Sequence, residues 1–495
     1  MTLNSNIGFT KNPFSKKSSE QELEFLDEIF YEPNYYNTLL NDLSNGDSRF
    51  IIGQRGHGKS SIINKLQEDL EKTKNLTVKI DRFDEIPISN NENALILLII
   101  KSLTTKLSIF LNKNPKCVNK LDKIKKEKLA LFIRLFFETL SKTEYDNIYD
   151  NVHKVKTTNN IRNFFNRFLL RSTNQVTSTL ISIGSTFIRE SLGIENVNVQ
   201  SAYKNYFGEI DLIEFEKIDI KEKKFTRIQL KSILDELLDI IKTVGFKNTV
   251  ILFDKIDEFQ ELQQDITKIS DFTREILTDT ELLLNDKFAI GFSLWSELRI
   301  ELAKVVRFDK FESIDIRWKD SDLEPLINKR IKYFSNNKLN LDRLIENSND
   351  KEELIRISHN SPRDLISALG VIYNEQSNNN QGVSLFEAKY ISKGLINFSS
   401  NFNYDSIYPS KSSKNKDIKA MINRILKTRL TRFHIKHLND AFNQRTAKSE
   451  GQINLMIQYK LIREDEVLGD NKIKYYDVID PKIDYLVRRG VMKIE

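Results

Sequence analysis

Residues 53–60 read Gly-Gln-Arg-Gly-His-Gly-Lys-Ser, a Gly-x4-Gly-Lys-Ser spacing that can wrap a phosphate. Its glycines let the backbone turn tightly enough to aim successive N–H groups at one anion, at the N-terminus of the helix that follows. In that geometry Gly53, Gly56 and Gly58 shape the loop, and the Lys59 ammonium reaches the β- and γ-phosphates of ATP. Ser60 offers its hydroxyl to Mg²⁺, and Ser61 belongs to the same cradle. Gln54, Arg55 and His57 fill the variable positions, His57 as a loop residue rather than a base.

Such a loop needs a carboxylate to hold its metal, and Val250-Ile-Leu-Phe-Asp254 supplies one: four apolar residues bury a strand and the acid emerges at its C-terminal end. Asp254 is therefore expected to hold magnesium, through water. The next position, where many such ATPases carry a glutamate base, is Lys255. Asp257 and Glu258 follow within a turn, and Glu258 is expected to polarise the attacking water; alternatively both are acids favoured by a helix N-terminus. Ser293, at the end of the next apolar strand, is expected to sense the γ-phosphate or that water. Arg363, in Ser361-Pro-Arg-Asp364, opens a helix that can reach back to the phosphates. Arg299 and Arg307 are candidates for a finger completing a neighbouring subunit's site, with surface ion pairing as the alternative reading of each.

The elements that must position these residues follow from periodicity. Arg49–Gly53 reads as a buried strand running into the loop, and Ser60–Lys72 as an amphipathic helix with Ile62, Ile63, Leu66 and Leu70 on one face. Strands are expected at 76–83, 249–253, 288–292 and 313–316, and helices at 93–111 and 229–244. Helices separating short apolar strands predict a mostly parallel α/β sheet covered on both sides. The expected organisation is an N-terminal helical approach segment over 1–48, packed beside a sheet edge, and a P-loop core in two parts, 49–111 and 228–320. A Lys-rich helical insertion at 112–227, with a Ser/Thr-rich patch at 178–188, separates the two parts. A helical lid covers 321–398, and after a polar linker at 399–416 a winged helix occupies 411–495: three helices and a hairpin, with the recognition helix at 449–461. That helix would present Gln452, Asn454, Gln458 and Lys460, while Lys472 and Lys474 ride on the wing.

At 495 residues the chain exceeds what one core usually supports. Its 39% hydrophobic and 29% charged residues fit a globular protein. The lone cysteine, Cys117, rules out an intramolecular disulfide framework and points to an intracellular protein. The N-terminus has no signal-peptide pattern, and the runs 94–100 and 129–137 are too short to span a bilayer; a cytoplasmic location and no membrane contact are expected. The net charge of +6 is unevenly placed: residues 411–495 hold 19 Lys/Arg against 11 Asp/Glu. A DNA or RNA partner would meet that end first, although Glu464, Asp465, Glu466 and Asp470 near the wing fit protein docking as well.

The ordered set of Gly53–Ser60, Asp254-Lys-Ile-Asp257-Glu258, Ser293 and Ser-Pro-Arg363-Asp, followed by a winged helix, resembles the AAA+/STAND branch of P-loop ATPases. Bacterial relatives of the origin-recognition and NACHT-type ATPases are the nearest in pattern, and Asn12-Pro-Phe14 and Pro33–Tyr36 also fit them. That branch usually has glycine where Lys255 stands. The resemblance implies a nucleotide state that controls oligomerisation, nucleic-acid engagement or a protein effector, often in anti-phage defence or mobile-element loci. Lys255 departs from the pattern in the direction of slow turnover. Two readings compete with an oligomeric ATP switch: a DNA-binding loader in which ATP gates the winged helix, and a nucleotide-locked scaffold. A small-molecule kinase would not need a helical lid and a winged helix.

Overall fold

The computed structural model describes residues 2–84, 86–122, 124–125, 128–129, 132, 136, 226–406, 418–465 and 474–494. Most of the expected insertion, including 178–188, lies outside these residues, as do most of the linker and Lys472.

Strand β1 (Arg49–Gly53) is an inner strand of a five-stranded sheet. With β2 (Leu76–Ile80), β3 (Thr249–Phe253), β4 (Phe288–Trp295) and β5 (Ser313–Asp315) the spatial order is β2-β3-β4-β1-β5, and every neighbouring pair is parallel. Parallel neighbours require long crossovers, which helices on the two faces provide. Period-two alternation divides the strand side chains between two cores. Phe50, Ile52, Ile251, Phe253, Ile290 and Phe292 face one cluster; Ile51, Val250, Leu252 and Ala289 face the other.

The second face is covered by α1 (Tyr36–Asn45), through Leu39 and Leu43, and by α2 (Lys59–Lys72), through Ile62, Ile63 and Leu66. Each buried aliphatic side chain contributes roughly 1.5–3 kcal/mol. Helix α1 therefore lies on the sheet's face, not beside its edge as expected, because Leu39 and Leu43 are fully buried there. The first face carries α3 (Glu92–Lys113), α4 (Arg227–Val244) and α5 (Ile266–Thr278). Helix α3 is longer than its sequence implied, and over 92–111 it is apolar enough to cross a membrane by length and composition. Its Ile96, Ile99, Ile100, Leu103 and Leu107 are buried against the sheet and α4, the packing of a core helix.

After β5 the chain is helical: α6 (Asp320–Phe334), α7 (Ser348–Ser358), α8 (Pro362–Asn379) and α9 (Ala388–Ser400) share the second core. The N-terminal residues form a strap bound to this layer. Phe14 is buried within it, and the α6 residue Arg330 donates to the carbonyls of Pro13 and Lys16 and pairs with Glu22 at 2.6 Å. Tyr404, inside the expected linker, is fully buried in the C-terminal core, so the linker begins later than its polarity implied.

The C-terminal unit comprises α10 (Ile418–Thr428), β6 (Arg432–His434), α11 (Ile435–Phe442), α12 (Thr446–Gln458), β7 (Ile462–Glu464), β8 (Tyr475–Val478) and α13 (Pro481–Arg488). Its strands form an antiparallel sheet in the order β6-β8-β7, one strand more than the expected hairpin. Helix α13 was not anticipated. It packs on the helical layer, where Tyr485 joins that layer's core and Arg356 pairs with Asp484 at 2.7 Å.

Candidate nucleotide site

β1 delivers the chain into the loop and α2 begins at Lys59, so the loop sits at the C-terminal edge of the sheet with a helix N-terminus behind it. Gly56 and Gly58 adopt φ of +84° and +83°, a left-handed conformation that glycine takes without cost. Gly56 is doubly constrained, because a Cβ there would collide with Ser361 Oγ. The Lys59 ammonium is folded into the loop, donating to the carbonyls of Gly53 at 3.0 Å and Gln54 at 3.2 Å. Burial pushes its pKa down, against the opposing pull of Asp257 and Asp254.

Sheet order brings the other groups to this loop. β4 lies between the loop strand and the acid strand, and its register sets Ser293 opposite Ile51, with Phe292 opposite Phe253. Ser293 therefore stands beside Asp254. The strand does not end at Ser293 as expected; it continues through Leu294 and Trp295, both buried. Asp254 is 1% exposed, and burial pushes its carboxyl up, while the Ser60 and Ser293 hydroxyls and the Lys79 and Lys59 ammoniums favour the ion. Its Oδ2 and Ser293 Oγ are buried with no hydrogen-bond partner among the described residues. A buried, unsatisfied acceptor beside a serine hydroxyl is the donor set a hard divalent cation takes, so Ser60 and Asp254 fit magnesium.

The turn after Asp254 departs furthest from sequence expectation. Lys255 has φ +60°, a conformation that glycine adopts more readily, and its ammonium pairs with Glu20 of the strap at 2.6 Å. Although burial opposes it, this contact holds the Glu20 carboxyl down to about 2. Asp257 is engaged: Arg55, a variable position of the loop, pairs with its carboxylate at 3.0 Å and also donates to its carbonyl and to Gln264 Oε1. The same guanidinium lies 4.3 Å from the centre of the Trp295 ring. Glu258 stays at the mouth of the cleft, where loss of solvent on the protein side and then the Asp257 carboxylate push its pKa up.

The helical layer closes the cleft. Ser361 caps α8, accepting from Asp364 N at 3.2 Å, and Arg363 N donates to the Gly56 carbonyl at 3.3 Å. Arg363, Glu258, Lys59, Ser60, Ser61 and Asp254 line one small cavity, and Arg363 and Glu258 also border an adjoining one of about 550 Å³. Arg299 and Arg307 are tied into ion pairs with Asp315 at 2.8 Å and Asp309 at 2.7 Å.

Two connections run from the loop to the C-terminal unit, and neither was read from sequence. Gln54 donates to Glu297 Oε1 at 3.0 Å, and the other oxygen of Glu297 pairs with Lys460, just past α12, at 3.0 Å. Asp364, one residue beyond Arg363, pairs with Lys482 of α13 at 3.1 Å, and Lys482 is almost completely buried. Between them lies a cavity of about 500 Å³ lined by His57, Glu297, His359, Gln458 and Lys460. His57 is half-buried beside the Ile316 carbonyl, and desolvation pushes its imidazole down to about 4. Of the four residues expected on a nucleic-acid-reading face, Gln458 and Lys460 thus border the cavity on the loop's side. Gln452 is internal, accepting from Gln444 at 2.8 Å, whereas Asn454, Gln458 and Lys460 are exposed. Lys474 pairs with Glu464 at 2.9 Å.

No family model and no curated protein matches the chain. Among solved structures it is similar to the Aeropyrum pernix ORC1 protein in complex with DNA, at 8% identity over 95% of this chain and 96% of that one, with a TM-score of 0.37. It is also similar to Drosophila ORC bound to DNA, at 9% identity over 98% and 90% of the two chains, with a TM-score of 0.27. At those scores the likeness carries nothing about function, which rests on the geometry above.

Proposed function

We propose that the chain is an ATP-binding, slowly hydrolysing switch of the AAA+/STAND kind, which couples nucleotide state to the placement of its C-terminal unit, to self-assembly and to control of a partner. The supporting observation is the pair of connections that join the phosphate loop to that unit, Gln54–Glu297–Lys460 through side chains and Gly56–Arg363/Asp364–Lys482 through a backbone hydrogen bond and an ion pair. A metabolite kinase has no use for them.

In this reading the Gly53–Ser60 backbone holds the β-phosphate, and Lys59 exchanges its two carbonyl partners for phosphate oxygens. Ser60 and Asp254 would hold magnesium, which would supply charge neutralisation at the leaving phosphates. Glu258 accepts a proton from the attacking water, and the raised pKa that its surroundings impose suits a base working near neutrality. Ser293 orients that water, while Arg363 draws the α8 terminus toward the terminal phosphate. Asp257 is withheld from the chemistry by Arg55. Since Lys255 stands where a base would stand and is held by Glu20, turnover is slow.

Phosphate release and sedimentation test this reading together: release that Lys59→Ala abolishes, with an assembly state that differs between ATP and ADP. A sedimentation profile indifferent to nucleotide would sink the switch; absent release with retained binding would leave a nucleotide-locked scaffold. A role in phage defence, implied by the resemblance, predicts protection of a bacterial culture that Lys59→Ala removes. Nucleic-acid binding is the second reading, favoured by the basic C-terminal unit and by exposed Asn454 and Gln458 on α12 and Lys460 just past it. Because Lys460 is paired with Glu297, a nucleic acid that takes Lys460 must displace that pair. This reading predicts affinity that falls steeply with salt and rises with ATP.

A further inference from the structure

The strap at residues 13–22 is pinned at both ends. Arg330 holds Pro13, Lys16 and Glu22, while Lys255 holds Glu20 beside the metal-binding acid. Between these anchors stands Lys17, which borders both the phosphate cavity and the adjoining 550 Å³ cavity, together with Arg55, Gly56, Glu258 and Arg363. Its stem runs along α8, with Cε 3.8 Å from where a Cβ on Gly370 would lie. Its neighbour Lys16 is directed elsewhere, over the Phe25 ring. Among the described residues no carboxylate lies within ion-pair distance of Lys17 or Arg363, whereas Arg55, Lys255 and Arg330 are all paired. Two cations from separate elements, both open to solvent, converge on the loop from the side that carries Glu258, where an anion entering the cleft would meet both.

We propose that Lys17 is a binding residue for the terminal phosphate of the nucleoside triphosphate, supplied by the strap and acting opposite Arg363. The inference rests on the nucleotide reading above. Loop, lid and strap then each contribute one cation to the triphosphate, through Lys59, Arg363 and Lys17. A diphosphate leaves Lys17 without its partner, so the strap tells the two nucleotides apart.

The test is displacement of a fluorescent nucleotide by ATP and by ADP, with magnesium, from the full chain and from Lys17→Met, Lys17→Arg, Lys16→Met and Lys59→Ala. A charged hydrogen bond at this position makes ATP binding to Lys17→Met about ten- to a hundredfold weaker, with ADP affected less than about threefold. Lys17→Arg should recover most of the loss, and Lys16→Met should match the parent. Equal losses for ATP and ADP, or unchanged affinity in Lys17→Met alongside abolished binding in Lys59→Ala, would overturn the inference alone. A parent chain that binds neither nucleotide, with Lys59→Ala indistinguishable from it, would overturn the nucleotide reading and this inference with it.

Discussion

Lys482→Met probes the connection between the lid and the C-terminal unit at its most buried point. Lys482 is 1% exposed, its ammonium is 3.1 Å from Asp364 and it lies 4.3 Å from the centre of the Phe402 ring. Removing one member of a buried pair strands the other charge, at a cost of about 3–5 kcal/mol. The nearby Arg356–Asp484 and Arg488–Glu353 pairs are largely exposed on the arginine side, and pairs of that kind contribute about 0–1 kcal/mol each. Hydrogen exchange of α13 measures the local opening free energy directly. It should fall by about 3–5 kcal/mol in Lys482→Met and by less than about 1 in Arg356→Ala. Asp364→Leu combined with Lys482→Met should recover much of the loss, since an apolar pair of similar size replaces the ions. The pH dependence carries a sign: burial already pushes the Asp364 carboxyl above its usual range, so it takes up a proton early as pH falls. The neutral acid needs no partner, so the deficit in Lys482→Met must shrink toward acid. Equal, small losses in Lys482→Met and Arg356→Ala, or a deficit indifferent to pH, would refute this account of how the unit is held.

Gly56→Ala should weaken ATP binding by at least tenfold in a titration, since left-handed backbone costs a non-glycine residue about 1–2 kcal/mol and the new methyl displaces Ser361 of the lid. Arg55→Met should lower kcat while leaving KM within about twofold, because the freed Asp257 disturbs the Glu258 turn and not the phosphate cradle; steady-state phosphate release separates the two constants. His57 favours its neutral form in the folded chain, so its contribution is complete above its ordinary pKa, near 6.5, and is lost as pH falls from there toward about 4. Thermal unfolding should show at most about 3 kcal/mol of acid destabilisation from this source, flattened in His57→Asn.

Much of this architecture was legible because local pattern and global fold agree. The runs 49–53 and 249–253 are apolar, short and bounded by glycine or aspartate, and they form strands over those residues. What misled was local polarity overridden by burial. Ser293 reads as the end of a strand, but β4 continues past it because Leu294 and Trp295 are buried within the first core. Tyr404 sits in a stretch as polar as a linker yet is buried, since Phe402 and the C-terminal core enclose it. Helix α13 was missed although its start carries a signal, an Asp480 cap with a 2.8 Å bond from Lys482 N and Pro481 at its first position. In the site, the groups on one loop or at one strand end were readable from spacing. Lys17, Glu297 and Lys482 were not, because each meets the loop or the lid across more than a hundred residues of chain, and no periodicity encodes such a meeting. Arg55 read as loop filler because its partner, Asp257, lies 202 residues away.

The most direct test of the switch is hydrogen exchange over 446–465 and 481–488 in the full chain, with ATP and magnesium, with ADP, and with no nucleotide. If nucleotide state reaches the C-terminal unit through Glu297 and Asp364, ATP should raise exchange across α12 and α13 relative to ADP. Lys59→Ala should erase that difference. Exchange in both segments that is identical in all three states, in a chain shown to bind ATP, would contradict the account.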